Sequence, residues 1–162
     1  MQVIHLLLLA IALALGVGKA AAAPDTGAPQ HLRDTGLFVP GSTSQPRAEH
    51  VPFSPQHPLW PDGATKRRWL HLPPGTSIDA SRPDAWEFPR GTRLWKEFSH
   101  SRPIETRCIE RRADGSCLYA TCVWNEDGSD AVLAPATGVK ALPVAGAPER
   151  HYKVPARAAG RH

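Results

Sequence analysis

Proline and glycine recur so often in this chain, 17 and 13 times in 162 residues, that long helices are disfavoured throughout. Proline fixes φ and lacks an N–H, while glycine accepts the positive φ of tight turns, so the composition favours short strands joined by specific turns. The expected fold is mainly β: an antiparallel β-sandwich or meander with long Pro/Gly-rich loops.

Individual strands can be read from the alternation of side chains between these breakers. Arg68 to Leu72 is an apolar and basic run stopped by Pro73-Pro74-Gly75, which predicts one short strand and a turn. Thr92 to Phe98 predicts a second, half-buried strand with Leu94, Lys96 and Phe98 on one face and Arg93, Trp95 and Glu97 on the other. Ile104 to Arg112 and Cys117 to Asn125 flank Ala113-Asp114-Gly115-Ser116, and the Asp-Gly pair marks this as a β-hairpin. A further turn at Asp127-Gly128-Ser129 delivers Ala131 to Ala134 as the third strand of a meander, ended by Pro135. Trp69, Trp86, Trp95, Phe98, Tyr119 and Trp124 supply aromatic area for the core of such a sheet. From Pro135 onward, loop and at most two short edge strands are expected.

The N-terminal third reads differently. Leu6 to Val17 is a nearly unbroken apolar run of signal-peptide length, too short to span a bilayer, followed by the small residues Ala20 to Ala23. Residues 1–22 are therefore expected to be a signal peptide cleaved near Ala22, giving a periplasmic or secreted protein that does not contact the membrane after cleavage. A retained tethering segment is the alternative, since Met1 to His5 lacks Lys and Arg and Lys19 follows the apolar run. Residues 23–57, rich in Pro, Gly, Ser, Thr and Gln, read as a linker with too little apolar surface to offset the entropy of ordering. Gly36-Leu37-Phe38-Val39-Pro40 is the exception, a patch able to dock as an added edge segment. The β domain is expected over 58–155, with a tail over 156–162.

The formal charge of +4 comes from interleaved cations and acids, and only Lys66-Arg67-Arg68 clusters. Three charges beside a strand read as a solvated edge, and nucleic acid is not an expected partner. The three cysteines, Cys108, Cys117 and Cys122, all fall in the hairpin. A three-residue loop would set Cys108 opposite Cys122 at disulfide range, whereas a two-residue loop would break that pairing; three separate thiols are the alternative. Scattered histidines such as His151 and His162 form no ligand-spaced pair, so no metal site is expected. The aspartates beside Gly, Pro or Ser read as turn-fixing residues. No nucleophile or phosphate-loop motif is present, and the enzyme class cannot be argued from residues.

The order of Pro58-Leu59-Trp60-Pro61-Asp62-Gly63, Leu72-Pro73-Pro74-Gly75-Thr76, Trp86-Glu87-Phe88-Pro89, Gly91-Thr92 and Trp124 to Asp130 resembles the β-rich module of exported bacterial c-type cytochrome-like proteins. The resemblance spans about Pro58 to Pro155, including His151 and Val154-Pro155, which precede the haem site in the fuller pattern. A fainter similarity, in Phe88-Pro89, Gly91-Thr92 and Lys96-Glu97, is to cytochrome P460. Fuller relatives carry haem c on a Cys-x-x-Cys-His site. No cysteine pair precedes His162 here, so no cofactor is expected in this chain. The resemblance implies an accessory, non-catalytic β module of a redox protein, either a truncated member or a free-standing module, with a cytochrome or another periplasmic redox protein as partner. The alternative is a haem- or metal-dependent oxidoreductase whose cofactor is held non-covalently by His151 or His162.

Overall fold

A computed structural model describes residues 27–57, 63–144 and 147–154. The expected signal peptide and the tail over 156–162 lie outside them. The described part is mainly β. Six strands, β1 (Val51–Pro52), β2 (Thr65–His71), β3 (Arg93–Ser99), β4 (Pro103–Arg111), β5 (Cys117–Trp124) and β6 (Ala131–Leu133), form one sheet in sequence order. Every neighbouring pair is antiparallel, so the sheet is a meander. Among the described residues, β7 (Val139–Val144) and β8 (Ala147–Val154) pair only with each other. The C-terminal stretch therefore builds a separate hairpin instead of adding edge strands to the main sheet.

The anticipated turns form where glycine permits them. Gly115, at φ 89°, closes the β4–β5 loop, where Asp114 accepts hydrogen bonds from the Ser116 N–H and hydroxyl. Asp79 and Asp127 accept the backbone N–H two residues ahead in the same way. The Arg112 N–H donates to the Ser116 carbonyl at 2.8 Å and the Gly115 N–H to the Arg112 carbonyl at 3.0 Å, so the β4–β5 loop is the short stretch Ala113 to Gly115, centred on Asp114. That centre sets the register of the whole hairpin, with Arg111 opposite Cys117.

Alternate side chains divide the sheet into two faces. On one, Trp69, Trp95, Cys108 and Ala120 lie side by side across β2 to β5, and Arg67, Glu97, Thr106 and Cys122 form the next row. Residues from 28 to 50 cover this face: Leu32, Leu37 and Phe38 are buried in one cluster with Trp69, Trp95 and Trp124. The stretch expected to be linker over 23–57 thus belongs, in its described part, to the core, and the domain begins well before residue 58. Its few apolar residues suffice because they meet a preformed aromatic surface. The edge contact is made by Gln30 and His31, which pair along β6, and not by Gly36 to Pro40.

Polar groups fasten the layer. Trp95 Nε1 donates to Thr35 Oγ1 at 2.9 Å, and His50 Nδ1 bonds the Leu37 carbonyl at 3.0 Å while its ring stacks 4.7 Å from Trp95. Asp130 accepts from His31 at 2.7 Å and from Arg33 at 3.2 Å. Four of the six aromatic residues expected in the core are buried; Tyr119 is half-buried and Trp86 is 55% exposed. Trp86 sits in the β2–β3 connection, where Asp79 and Glu87 exchange two backbone hydrogen bonds of 2.9 Å and form a small ladder apart from the sheet.

Candidate functional site

Strand alternation places a second set of side chains on the opposite, open face of the sheet. Lys66, Phe98, Glu105 and Val123 form one cross-strand row; Arg68, Lys96, Arg107 and Thr121 form the next. Around the buried Phe98 ring stand three cations, with Lys66, Lys96 and Arg107 at 5.8, 4.7 and 4.6 Å from its centroid. Their stems cover the ring while the charged heads stay near water, and the ring's negative face attracts them.

Glu105, fully buried, answers this positive charge. Its Oε1 accepts from Arg107 Nε at 2.9 Å, from Arg107 Nη2 at 2.5 Å and from the Tyr152 hydroxyl at 2.8 Å. Tyr152 comes from β8, so this carboxylate ties the C-terminal hairpin to the open face. Burial, and then the bond to Glu105, push the Tyr152 phenol above its ordinary range. Lys96 moves the other way: desolvation lowers it first, and Lys66, Arg68 and Arg107 lower it further.

Glu97 is the counterpart on the covered face, also fully buried. Its Oε1 accepts from Arg67 Nε and Nη2 at 2.9 and 2.7 Å and from the Ser99 hydroxyl at 3.0 Å. In both pairs the arginine Nε and Nη2 converge on Oε1, while each Oε2 is buried without a hydrogen-bond partner among the described residues, so the pairing offsets only part of the cost of burying the charge. Beside the β1–β2 edge an open groove of about 480 Å³, lined by Phe53, Lys66 and Arg68 among others, continues the positive surface. The Lys66-Arg67-Arg68 cluster is therefore split between faces, with Arg67 on one side and its neighbours on the other.

The cysteines lie together but in a different register from the one that would join them. Cys108 is opposite Ala120, and Cys122 is opposite Thr106. The two are diagonal neighbours on one face, about 7–8 Å apart at Cα, beyond the ~7 Å limit for a disulfide. All three cysteines are free thiols in this structure, and the pairing does not set Cys108 opposite Cys122. Burial raises both Cys108 and Cys122 to about 12, which suppresses thiolate formation, and only Cys117 is exposed.

These positions do not suit covalent haem c: two thiols are sealed in the core and the third starts a strand. His151 falls on β8 opposite Pro143. Its side chain, and all of His162, lie outside what is described. Among the described residues no group of three or more His, Cys, Asp or Glu could hold a metal ion, and no helix is long and apolar enough to cross a membrane. Among the described residues one histidine is buried, and spacing did not single it out: His50, whose basicity is lowered by desolvation, packs against Trp95 and His71. Only its sequence position within a Pro-rich segment was visible beforehand, and that pointed to solvent.

The arrangement is that of an antiparallel β domain with one sealed and one open, cation-bearing face. No protein-family model, curated protein or solved structure matches the chain.

Proposed function

We propose that this chain is an exported, non-catalytic accessory β module of a c-type cytochrome-like redox protein, acting by docking a periplasmic redox partner. The observation that carries the reading is the division of labour between the two faces. Trp69, Trp95, Trp124, Phe38 and the thiols of Cys108 and Cys122 are committed to packing on the covered face, whereas the other face keeps a fixed, partly exposed set of cations. The ordered run of Trp, Pro and Gly motifs supports the cytochrome-like context.

An absorbance spectrum with metal analysis tests this, made on the mature chain purified from the periplasm of a host competent for cytochrome maturation. A folded, colourless, metal-free protein is expected. A Soret band that disappears on His151→Ala or His162→Ala would overturn the accessory role in favour of an oxidoreductase with a non-covalently held haem.

A further inference from the structure

The open face carries an apolar row immediately beside its cations. Val51, Leu70, Leu94, Ile109 and Tyr119 lie side by side on five successive strands. None is buried, and Val51 and Ile109 are 58% and 36% exposed. The row of Arg68, Lys96 and Arg107 runs parallel to it, two residues along each strand. At ordinary sheet spacings the two rows are ~7 Å apart and the apolar one crosses ~19 Å of surface.

Three cations directly opposite one another on adjacent strands repel, an arrangement that costs stability unless something negative is near. Within the chain, Glu105 and the Phe98 ring provide part of the compensation. Lys96 still sits among three like charges, with Glu105, among the described residues, the group that favours its protonation. The hydrogen-bond ladder nevertheless fixes this spacing, so an incoming ligand meets it without a cost of assembly.

Resting on the docking role above, we infer that this face binds an acidic protein surface, whose carboxylates meet Arg68, Lys96 and Arg107 and whose apolar side chains cover Leu70, Leu94 and Ile109. An apolar strip bordered by Arg and Tyr is the composition of a protein interface. Nucleic acid would use the cations and leave the apolar row wet. A second copy of this chain, itself at +4, would bring like charge to like. A bilayer is less well matched, because Leu70 and Leu94 are half-buried within the sheet surface and do not project to insert.

The test is a titration of the isotope-labelled full mature chain with a soluble random copolymer of glutamate and tyrosine, followed by amide chemical shifts at low salt. Phosphatidylglycerol vesicles and a DNA duplex form parallel arms. The expected result is a set of shifts centred on Arg68, Leu94, Lys96 and Arg107. Arg68→Glu and Lys96→Glu should each weaken binding by about tenfold or more, with circular dichroism unchanged. Shifts on another surface, or affinity untouched by either folded variant, would overturn the inference; so would tighter binding of vesicles or DNA to this same face. The spectrum described above reads separately, because a Soret band removes the accessory role without altering where the copolymer binds.

Discussion

On β3, Trp95 and Glu97 point to one side of the sheet while Lys96 and Phe98 point to the other, and the two sides meet very different surroundings. The Trp95 side is roofed by residues 28 to 50 and becomes a dry aromatic core. On the Lys96 side Tyr152 reaches over Phe98 and Glu105, and among the described residues Arg68, Lys96 and Arg107 stay partly exposed. Each face nevertheless buries one glutamate in an arginine fork. The difference teaches that alternation along a strand distinguishes the faces, but a covering segment decides which of them becomes core.

Removing bulk from the covered face should therefore cost far more than removing charge from the open one. Trp124→Ala has the largest expected effect, a loss of ~3–5 kcal/mol in urea unfolding, because the ring is buried and its Nε1 bond to Thr106 goes with it. Leu37→Ala should cost ~2–4 kcal/mol, since this fully buried side chain belongs to the covering layer. A change within ~0.5 kcal/mol would mean that the layer does not seal the face, and the contrast would collapse.

Acid should loosen the same layer more gently. Desolvation lowers the His50 imidazole below its ordinary 6.5, with Arg47 and His71 acting in the same direction and the Leu37 carbonyl and Glu49 opposing. The folded state thus binds its proton less readily than the unfolded state. The stability this contributes is present above pH 6.5 and is lost as pH falls through the folded value. One such group gives a slope of at most about 1.4 kcal/mol per pH unit. His50→Gln should flatten that part of a stability profile relative to wild type. A parallel profile would assign the acid response to other groups.

Lys96→Ala should have the smallest effect, within ~0.5 kcal/mol of wild type and toward greater stability, because it relieves repulsion from Lys66, Arg68 and Arg107. A loss above ~2 kcal/mol would show that its stem is essential cover for Phe98, so that the open face is as much core as the other. Thiol labelling sharpens the comparison independently. In the native protein at pH 8, a thiol reagent should titrate Cys117 alone, and all three cysteines once the chain is unfolded.

Much of the sheet was legible in the sequence because its signals are local. The strand over Thr92 to Phe98, with its two faces, needs only side-chain alternation, and the Asp114-Gly115 turn needs only a residue tolerant of positive φ. The register of the cysteines was not legible, because it depends on which residue the loop is centred on: the loop closes between Arg112 and Ser116, one position earlier than a Cys108–Cys122 pairing needs, and sets Cys122 opposite Thr106. Trp86 offered the same aromatic surface as Trp95, yet it ended exposed on a ladder outside the sheet. The cation row was hidden as well: Arg68, Lys96 and Arg107 are far apart in sequence, and only pairing in register brings them together.

By itself, the sequence determined the antiparallel β class, the three-stranded meander of β4 to β6 and the places where those strands turn, since each follows from residues a few positions apart. Tertiary structure alone decided the register of the cysteines, the burial of His50 and the choice of which face is sealed. These depend on contacts between segments tens of residues apart, where a sparse stretch such as Leu32 to Phe38 gains enough from an aromatic surface to offset its ordering entropy.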